Sequence, residues 1–98
     1  MTPQAFVTLA AVPAQTVTAS LGGQTCQITV YQKRTGLYLD LAVNNTPIIY
    51  GVLCLNATLI VRDAYLGFSG DLAFYDTQGT QDPDYTGLGG RYQLAYVA

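Results

Sequence analysis

Residues 16–31 read TVTASLGGQTCQITVY, and this stretch decides the fold class of the chain. Apolar and polar residues alternate on both sides of Gly22-Gly23. The apolar positions are Val17, Ala19 and Leu21 before the glycines and Cys26, Ile28 and Val30 after them. Alternation with a period of two is typical of a strand that has one face in a core. Because a Gly-Gly pair supplies the positive φ angles of a tight turn, the stretch predicts a β-hairpin.

The same alternation continues along the rest of the chain. Further strands are predicted at residues 37–43, 47–53, 72–75 and 91–97, with turn signals between them. Residues 55–61 fit either a short helix or an irregular loop, and residues 1–12 fit an N-terminal arm or an edge strand. We therefore predict an all-β fold, a small antiparallel β-sandwich or barrel of about six or seven short strands with little or no helix. Residues 13–98 would form a single β domain.

The composition agrees with a β fold and also indicates a covered surface. Only 10% of the residues are charged, and the chain has no His and no Trp. A soluble monomer usually carries about 25–35% charged residues on its surface. Glutamate, a strong helix former, is absent as well. We infer that protein partners cover much of this surface.

The distribution of charge argues against a nucleic-acid partner, and the lengths of the apolar runs argue against a membrane partner. The formal net charge is −2, and the four basic residues are split between Lys33-Arg34, Arg62 and Arg91. Nucleic-acid binding normally requires clustered Lys and Arg, so no nucleic-acid partner is expected. No stretch approaches the run of about 18–20 apolar residues that a membrane span requires, so no membrane partner is expected either.

The reactive side chains do not form a catalytic pattern. General acid–base catalysis most often uses histidine, which is absent. Cys26 and Cys54 lie among apolar residues, without a neighbouring Lys or His to activate a thiolate, and are expected to be buried free thiols. A carboxylate pair drawn from Asp63, Asp71 and Asp76 could act on a glycoside, but aspartates at strand ends are ordinary turn residues. We expect no enzymatic activity and no cofactor.

Residues 76–90, DTQGTQDPDYTGLGG, concentrate three aspartates, four glycines and one proline between two apolar, tyrosine-rich runs. Oxygen-bearing residues alternate from Asp76 to Asp84, which leaves a loose Ca²⁺ site open as an alternative. The EF-hand spacing itself fails, because Gln81 and Gly87 occupy its sixth and twelfth positions. Turn formation explains the same composition, since Asp side chains bond nearby backbone N–H groups. No metal ligand is predicted here.

Over about residues 13–97 the chain resembles the phage baseplate plug family. The resemblance includes the hairpin QTVTASLGGQTCQITVYQ, the strand GLYLDLAV before TPIIYGVLCL, and the segment RDAYLGFSGDLAFYDTQG. Its most specific part is the ending DPDYTGLGGRYQLAYV, with Asp82-Pro83, Tyr85, Leu88-Gly89 and Arg91. Many members carry more Trp and Arg at the positions of residues 33–38, and residues 79–81 are less acidic than the family pattern.

This resemblance implies a structural virion protein that is not an enzyme. It would be a plug or hub component of a contractile phage tail baseplate, located in the virion after assembly in the host cytoplasm. Its partners would be other baseplate proteins, namely the hub, tube-initiator and central spike proteins, in a symmetric multi-copy assembly. The residues expected at the protein interface are Asp82, Pro83, Tyr85, Leu88, Arg91 and Tyr65.

The eight tyrosines support a different class of function. Tyrosine is enriched at protein interfaces, and Tyr31 and Tyr38 fall on the more polar faces of their predicted strands. The alternative function is therefore a carbohydrate- or receptor-binding β module of a phage tail. A receptor module would leave a tyrosine-lined face open, whereas a plug would contact proteins on several sides.

Overall fold

A computed structural model describes residues 3–61 and 70–97 of the chain. The strands are β1 (Pro3–Val7), β2 (Ala14–Leu21), β3 (Gln24–Lys33), β4 (Gly36–Val43), β5 (Thr46–Leu53), β6 (Asp71–Asp76) and β7 (Tyr92–Val97). A short 3₁₀ helix at Tyr85–Gly87 precedes β7. Within the two described ranges, no helix is long and apolar enough to cross a lipid bilayer. The predicted all-β fold is confirmed.

The strands form two antiparallel sheets. The larger sheet has the order β2-β3-β4-β5, and the smaller has the order β1-β7-β6. The predicted hairpin joins β2 to β3, and its register is unbroken along the whole of β2. Gly22 and Gly23 have φ angles of 59° and 76°, which are the left-handed values that a type I′ hairpin turn requires. The period of two and the glycine pair therefore determine this part of the fold locally.

The hydrophobic core contains side chains from both sheets. Its largest fully buried members include Ile28, Val30, Leu37, Leu39 and Leu41 from the larger sheet and Leu72, Phe74, Leu94 and Val97 from the smaller. Burying one such side chain contributes about 1.5–3 kcal/mol. In the larger sheet these residues alternate with more exposed ones. Burial of the apolar side chains therefore determines which face of each strand meets solvent.

The stretch between β5 and β6 is an irregular loop where the structure describes it, rather than a short helix. Within residues 54–61, the backbone N–H groups of Ala57 and Ile60 donate to the carbonyls of Phe74 and Leu72, at 2.8 and 2.9 Å. These bonds hold the loop along the outer side of β6. The loop therefore covers that edge of the smaller sheet.

Residues near the N-terminus pair within their own chain. β1 lies at an edge of the smaller sheet, where Ala5, Phe6 and Val7 are paired with β7. Val7 is buried, whereas Phe6 on the opposite face is 59% exposed. β1 is thus an edge strand of the sandwich.

The two cysteines are free and buried, as expected. Burial raises the pKa of the Cys54 thiol to about 12, and it raises the pKa of Cys26 as well. Since the thiolate is the reactive form, both side chains behave as small hydrophobic residues of the core.

Candidate protein interface

The loop between β6 and β7 is closed at its base by an ion pair. Arg91 Nε and Nη2 donate to Asp76 Oδ1 and Oδ2, each at 2.8 Å. The backbone N–H and the hydroxyl of Thr77 both donate to the Arg91 carbonyl, at 2.8 and 2.7 Å. The bonds from Arg91 hold the pKa of Asp76 well below its usual range, and the same pair raises the pKa of Arg91. Bidentate pairing fixes orientation as well as distance, so the base of the loop has a defined geometry.

Asp76 also organises the first residues of the loop. Its Oδ1 accepts the N–H of Gln78 at 2.9 Å, and its Oδ2 accepts the N–H of Gln81 at 2.8 Å. The carboxylate is therefore engaged by one arginine and two backbone amides. Within residues 3–61 and 70–97, no group of three or more His, Cys, Asp or Glu residues could hold a metal ion. In the described structure Asp76 acts as a turn-forming residue.

The tip of the loop is the 3₁₀ helix, which Asp84 caps. Asp84 Oδ1 accepts the N–H of Thr86 at 2.9 Å and also accepts the Thr86 hydroxyl. Leu88 belongs to the core cluster, and Tyr85 packs against that cluster. The N–H of Tyr85 donates to Gln32 Oε1 in β3 at 3.1 Å. The tip is thus fastened to the larger sheet.

Two further contacts hold the middle and the end of the loop. Asp82 Oδ1 accepts the backbone N–H of Asn56 at 2.9 Å, which links the loop to the segment that covers β6. Gly89 has a φ of 78°, and a Cβ at this position would lie 2.2 Å from the carbonyl oxygen of Leu9. Only glycine fits there, because any side chain would collide with the N-terminal segment. The loop is therefore held by contacts to three separate parts of the chain.

Five of the six predicted interface residues lie in this loop region, at different depths. Asp82 is exposed, Tyr85 and Arg91 are half-buried, and Pro83 and Leu88 are buried. Tyr65 lies outside the described residues. Burial assigns Pro83 and Leu88 to packing within their own domain. Asp82, the accessible parts of Tyr85 and Arg91, and the exposed residues 77–81 form the outer surface of the loop.

A pair of tyrosines lies on the outer face of the larger sheet, where the alternation of apolar and polar residues predicts it. Tyr31 and Tyr38 stack with ring centroids 6.0 Å apart and 21° between the ring planes. Lys33 Nζ lies 5.4 and 5.6 Å from the two centroids. The Tyr31 hydroxyl donates to Asp40 Oδ1 at 2.9 Å, and burial together with this bond raises the pKa of Tyr31. The predicted polar-face position of both tyrosines is confirmed.

Tyr50 is a surface residue that sequence reasoning missed. Its side chain is 72% exposed, and it precedes Gly51, whose φ is 62°. The N–H of Gly51 donates to Asp40 Oδ1 at 2.6 Å. A glycine inside a strand often marks a bulge. The Tyr-Gly dipeptide within the predicted strand was therefore the sequence signal for an irregular position beside Tyr50. A shallow pocket of about 170 Å³ adjoins Tyr50 and is also lined by Gln27, Thr29, Asp40, Leu41, Ala42 and Pro47.

Comparison with known families decides which proteins this chain is related to. The family described as cyanophage baseplate Pam3 plug gp18 matches residues 6–98. The chain belongs to this baseplate plug family. The match covers β2 to β7, the end of β1 and the loop before β7, and it confirms the resemblance seen in the sequence. No curated protein matched the chain. Membership of the plug family indicates a structural role in a phage baseplate.

Proposed function

We propose that the chain is a plug component of the central hub of a contractile phage tail baseplate. It acts through protein–protein contacts and has no catalytic role. The observation that carries this proposal is the plug-family match over residues 6–98, which spans nearly the whole described fold. The proposed partners are the hub, tube-initiator and central spike proteins, arranged around the tail axis in several symmetric copies. Assembly would take place in the host cytoplasm.

The composition of the domain surface supports extensive contacts with other proteins. Only 10% of the residues are charged. Large hydrophobic side chains are exposed, namely Phe6, Val12, Tyr50 and Leu53. Charged residues are depleted and aromatic residues enriched at the centres of protein interfaces. These exposed side chains lie on β1, on β5 and before β2, which supports contacts on more than one side.

The loop before β7 is suited to docking because it is already ordered. The pair between Asp76 and Arg91 fixes its base, and Leu88 fixes its end in the core. A preformed loop loses little conformational entropy when it binds. We propose that Asp82, Tyr85 and Arg91 contact a partner, that Pro83 and Leu88 support them from behind, and that Tyr65 belongs to the same interface.

A complementation experiment tests this role. Phage lacking the gene would be supplied with the wild-type chain, with Tyr85→Ala, or with Tyr85→Phe as the matched control. Truncating an interface anchor costs about 2 kcal/mol or more, so Tyr85→Ala should lower incorporation into baseplates about 30-fold. Tyr85→Phe should incorporate normally, and circular dichroism should show that all three isolated chains are folded.

The possible results separate two questions. Normal incorporation of Tyr85→Ala would contradict the anchor role of the loop. Absence of the wild-type chain from purified particles, measured by mass spectrometry, would contradict the proposed plug function itself.

The second candidate is a carbohydrate- or receptor-binding module, and the exposed ring of Tyr50 beside its pocket favours it. That pocket is about 170 Å³, below the roughly 300–1,000 Å³ of most small-molecule sites. A glycan array would test it, with Tyr50→Ala as the control variant. Binding that disappears in Tyr50→Ala would favour the receptor module, and the absence of binding by the wild-type chain would favour the plug.

A further inference from the structure

Each sheet of the sandwich has two edge strands, which are β2 and β5 in the larger sheet and β1 and β6 in the smaller. An edge strand presents backbone N–H and C=O groups that lack a partner in the sheet. Natural proteins block such edges with short strands, prolines, bulges, charges or covering segments, because an open edge pairs with another chain. The state of each edge therefore indicates where this domain can accept a partner.

Both edges of the smaller sheet are blocked. β6 is covered by residues 54–61, whose backbone donates to the carbonyls of Leu72 and Phe74. β1 is only five residues long, and its register with β7 shifts between Pro3 and Ala5. Neither strand offers a long, regular row of unpaired groups.

The β5 edge of the larger sheet is interrupted as well. Pro47 has no backbone N–H, and the N–H of Gly51 is bound to Asp40. The register between β4 and β5 shifts twice, on either side of Leu41. A partner strand would meet missing donors and a bent backbone along β5.

Within residues 3–61 and 70–97, none of these devices blocks β2. The strand spans eight residues, AQTVTASL, without a charge or a proline, and its register with β3 is unbroken. The N–H of Gln32 donates to the Pro13 carbonyl at 2.7 Å, which marks one bonded position of the ladder. Bonded and non-bonded pairs alternate along an antiparallel ladder. The backbone groups that point away from β3 therefore belong to Ala14, Thr16, Thr18 and Ser20, all of which are exposed.

The hydrophobic layer also becomes thinner toward this edge. Val17 and Ala19 pack on the core but are only half-buried. Their partners across the ladder, Ile28 and Cys26, are completely buried. An additional strand with apolar residues on its inner side would cover the exposed parts of Val17 and Ala19.

We propose that β2 accepts an extended segment of a different baseplate protein, which adds to the larger sheet as a fifth strand. The segment would bond to the outward backbone groups of residues 14–20, in the manner of other strand-addition complexes. It would be uncharged and would alternate apolar residues toward Val17 with polar residues beside Thr18, because β2 has this pattern itself. This inference rests on the proposed function, since the partner is taken from the baseplate.

A second copy of this chain fits the edge less well. Within the described residues β2 is the one unblocked edge, so two copies would have to pair β2 with β2 about a two-fold axis. The two ends of a phage tail differ, so an assembly around the tail axis has no perpendicular two-fold axis. Copies around that axis would meet through unlike surfaces, which a β2–β2 pair does not provide, so we assign the added strand to another protein.

Photocrosslinking in assembled particles tests the inference directly. A photoreactive phenylalanine derivative would replace Thr18, whose side chain is exposed beside the open edge. A control chain would carry the same group at Thr46, at the exposed start of β5. We expect irradiation to join position 18, and not position 46, to one strand-forming segment of a different baseplate protein.

Every other result would contradict the strand-addition inference, the proposed plug function, or both. A product between two copies of this chain, or no product at position 18 in particles that contain the chain, would overturn the inference and leave the plug function intact. Particles that lack even the wild-type chain would overturn the proposed function, and the inference with it.

A proline variant provides a second, independent measurement. Thr18→Pro removes an outward N–H without removing a bond to β3, whereas Thr18→Val keeps that N–H and serves as the control. Loss of the bond together with the bulk of the ring should lower incorporation about tenfold relative to Thr18→Val. Equal incorporation of two folded variants would overturn the inference. If Thr18→Pro does not fold, as judged by its thermal melt, the crosslinking result decides.

Discussion

The Asp76 carboxylate holds the base of the loop before β7, and this effect depends on pH. The bonds from Arg91 lower the pKa of Asp76 in the folded chain, whereas the pKa of an unfolded aspartate is about 3.9. A group whose pKa is lower in the folded state stabilises it above the unfolded pKa. That contribution is lost as the pH falls through the folded pKa. Asp76 should therefore stabilise the domain at neutral pH and lose this effect in acid.

We expect Asp76→Asn to lower the melting temperature at neutral pH, because asparagine cannot form the charged bidentate pair with Arg91. The difference from the wild type should be constant down to about pH 5 and should shrink below about pH 4. Thermal melts across this range would measure it. Asp84→Asn is the matched control, since asparagine also caps helices and should melt close to the wild type. A difference that does not change with pH would contradict the role of the charge.

Burial also controls the reactivity of the two cysteine thiols. Burial raises the pKa of Cys54 to about 12 and also raises that of Cys26. Since only the thiolate reacts, we expect a maleimide-type or disulfide reagent at about pH 8 to modify neither cysteine in the folded chain. Both should react after unfolding in urea, as counted by mass spectrometry. Rapid modification of the folded protein would show that these core positions open readily.

Among the elements, those encoded by local signals were predictable and those that depend on distant contacts were not. The β2–β3 hairpin follows from alternation around Gly22-Gly23, because register and turn lie within one short stretch. The pairing of Val7 with Leu94 joins opposite ends of the chain, and no local pattern specifies it. The loop residues of the candidate interface were named from a family resemblance. Their different depths became visible only after packing, since Leu88 belongs to the core and Asp82 to the surface.

At the hairpin turn, the cost of a left-handed φ angle can be measured separately from the cost of a steric collision. Both glycines have left-handed φ angles, so an alanine at either position costs about 1–2 kcal/mol. A Cβ on Gly23 meets nothing within 4 Å, whereas a Cβ on Gly22 would lie 2.3 Å from the Tyr96 hydroxyl oxygen. We therefore expect Gly22→Ala to lower the free energy of unfolding more than Gly23→Ala does.

Urea denaturation of the two variants would measure this difference. Repeating both substitutions in a Tyr96→Phe background provides the control, since the hydroxyl that causes the collision is then absent. The extra destabilisation by Gly22→Ala should become smaller in that background. Equal effects of the two alanines in the wild-type background would mean that backbone strain alone accounts for the turn.

For the molecule as a whole, scarcity of charge and the open edge of β2 point to the same kind of interface. Only 10% of the residues are ionised, so contacts over a large surface must depend on apolar burial and backbone hydrogen bonds. Half of the basic charge lies in Lys33-Arg34, at the turn between β3 and β4. An interface of this composition should respond weakly to salt.

We expect the chain to remain in purified baseplates through washing in about 1 M NaCl, where exposed charges are screened beyond about 3 Å. Its amount relative to a tail-tube protein, measured by mass spectrometry, should match that after washing in about 0.1 M NaCl. Arg34→Ala should incorporate as well as the wild type, because the contacts proposed at β2 and at the loop do not include this exposed side chain. A loss that increases with salt, and is reproduced by Arg34→Ala, would mean that the few charges carry the contact. The main interface would then lie at the β3–β4 turn rather than at β2 or the loop.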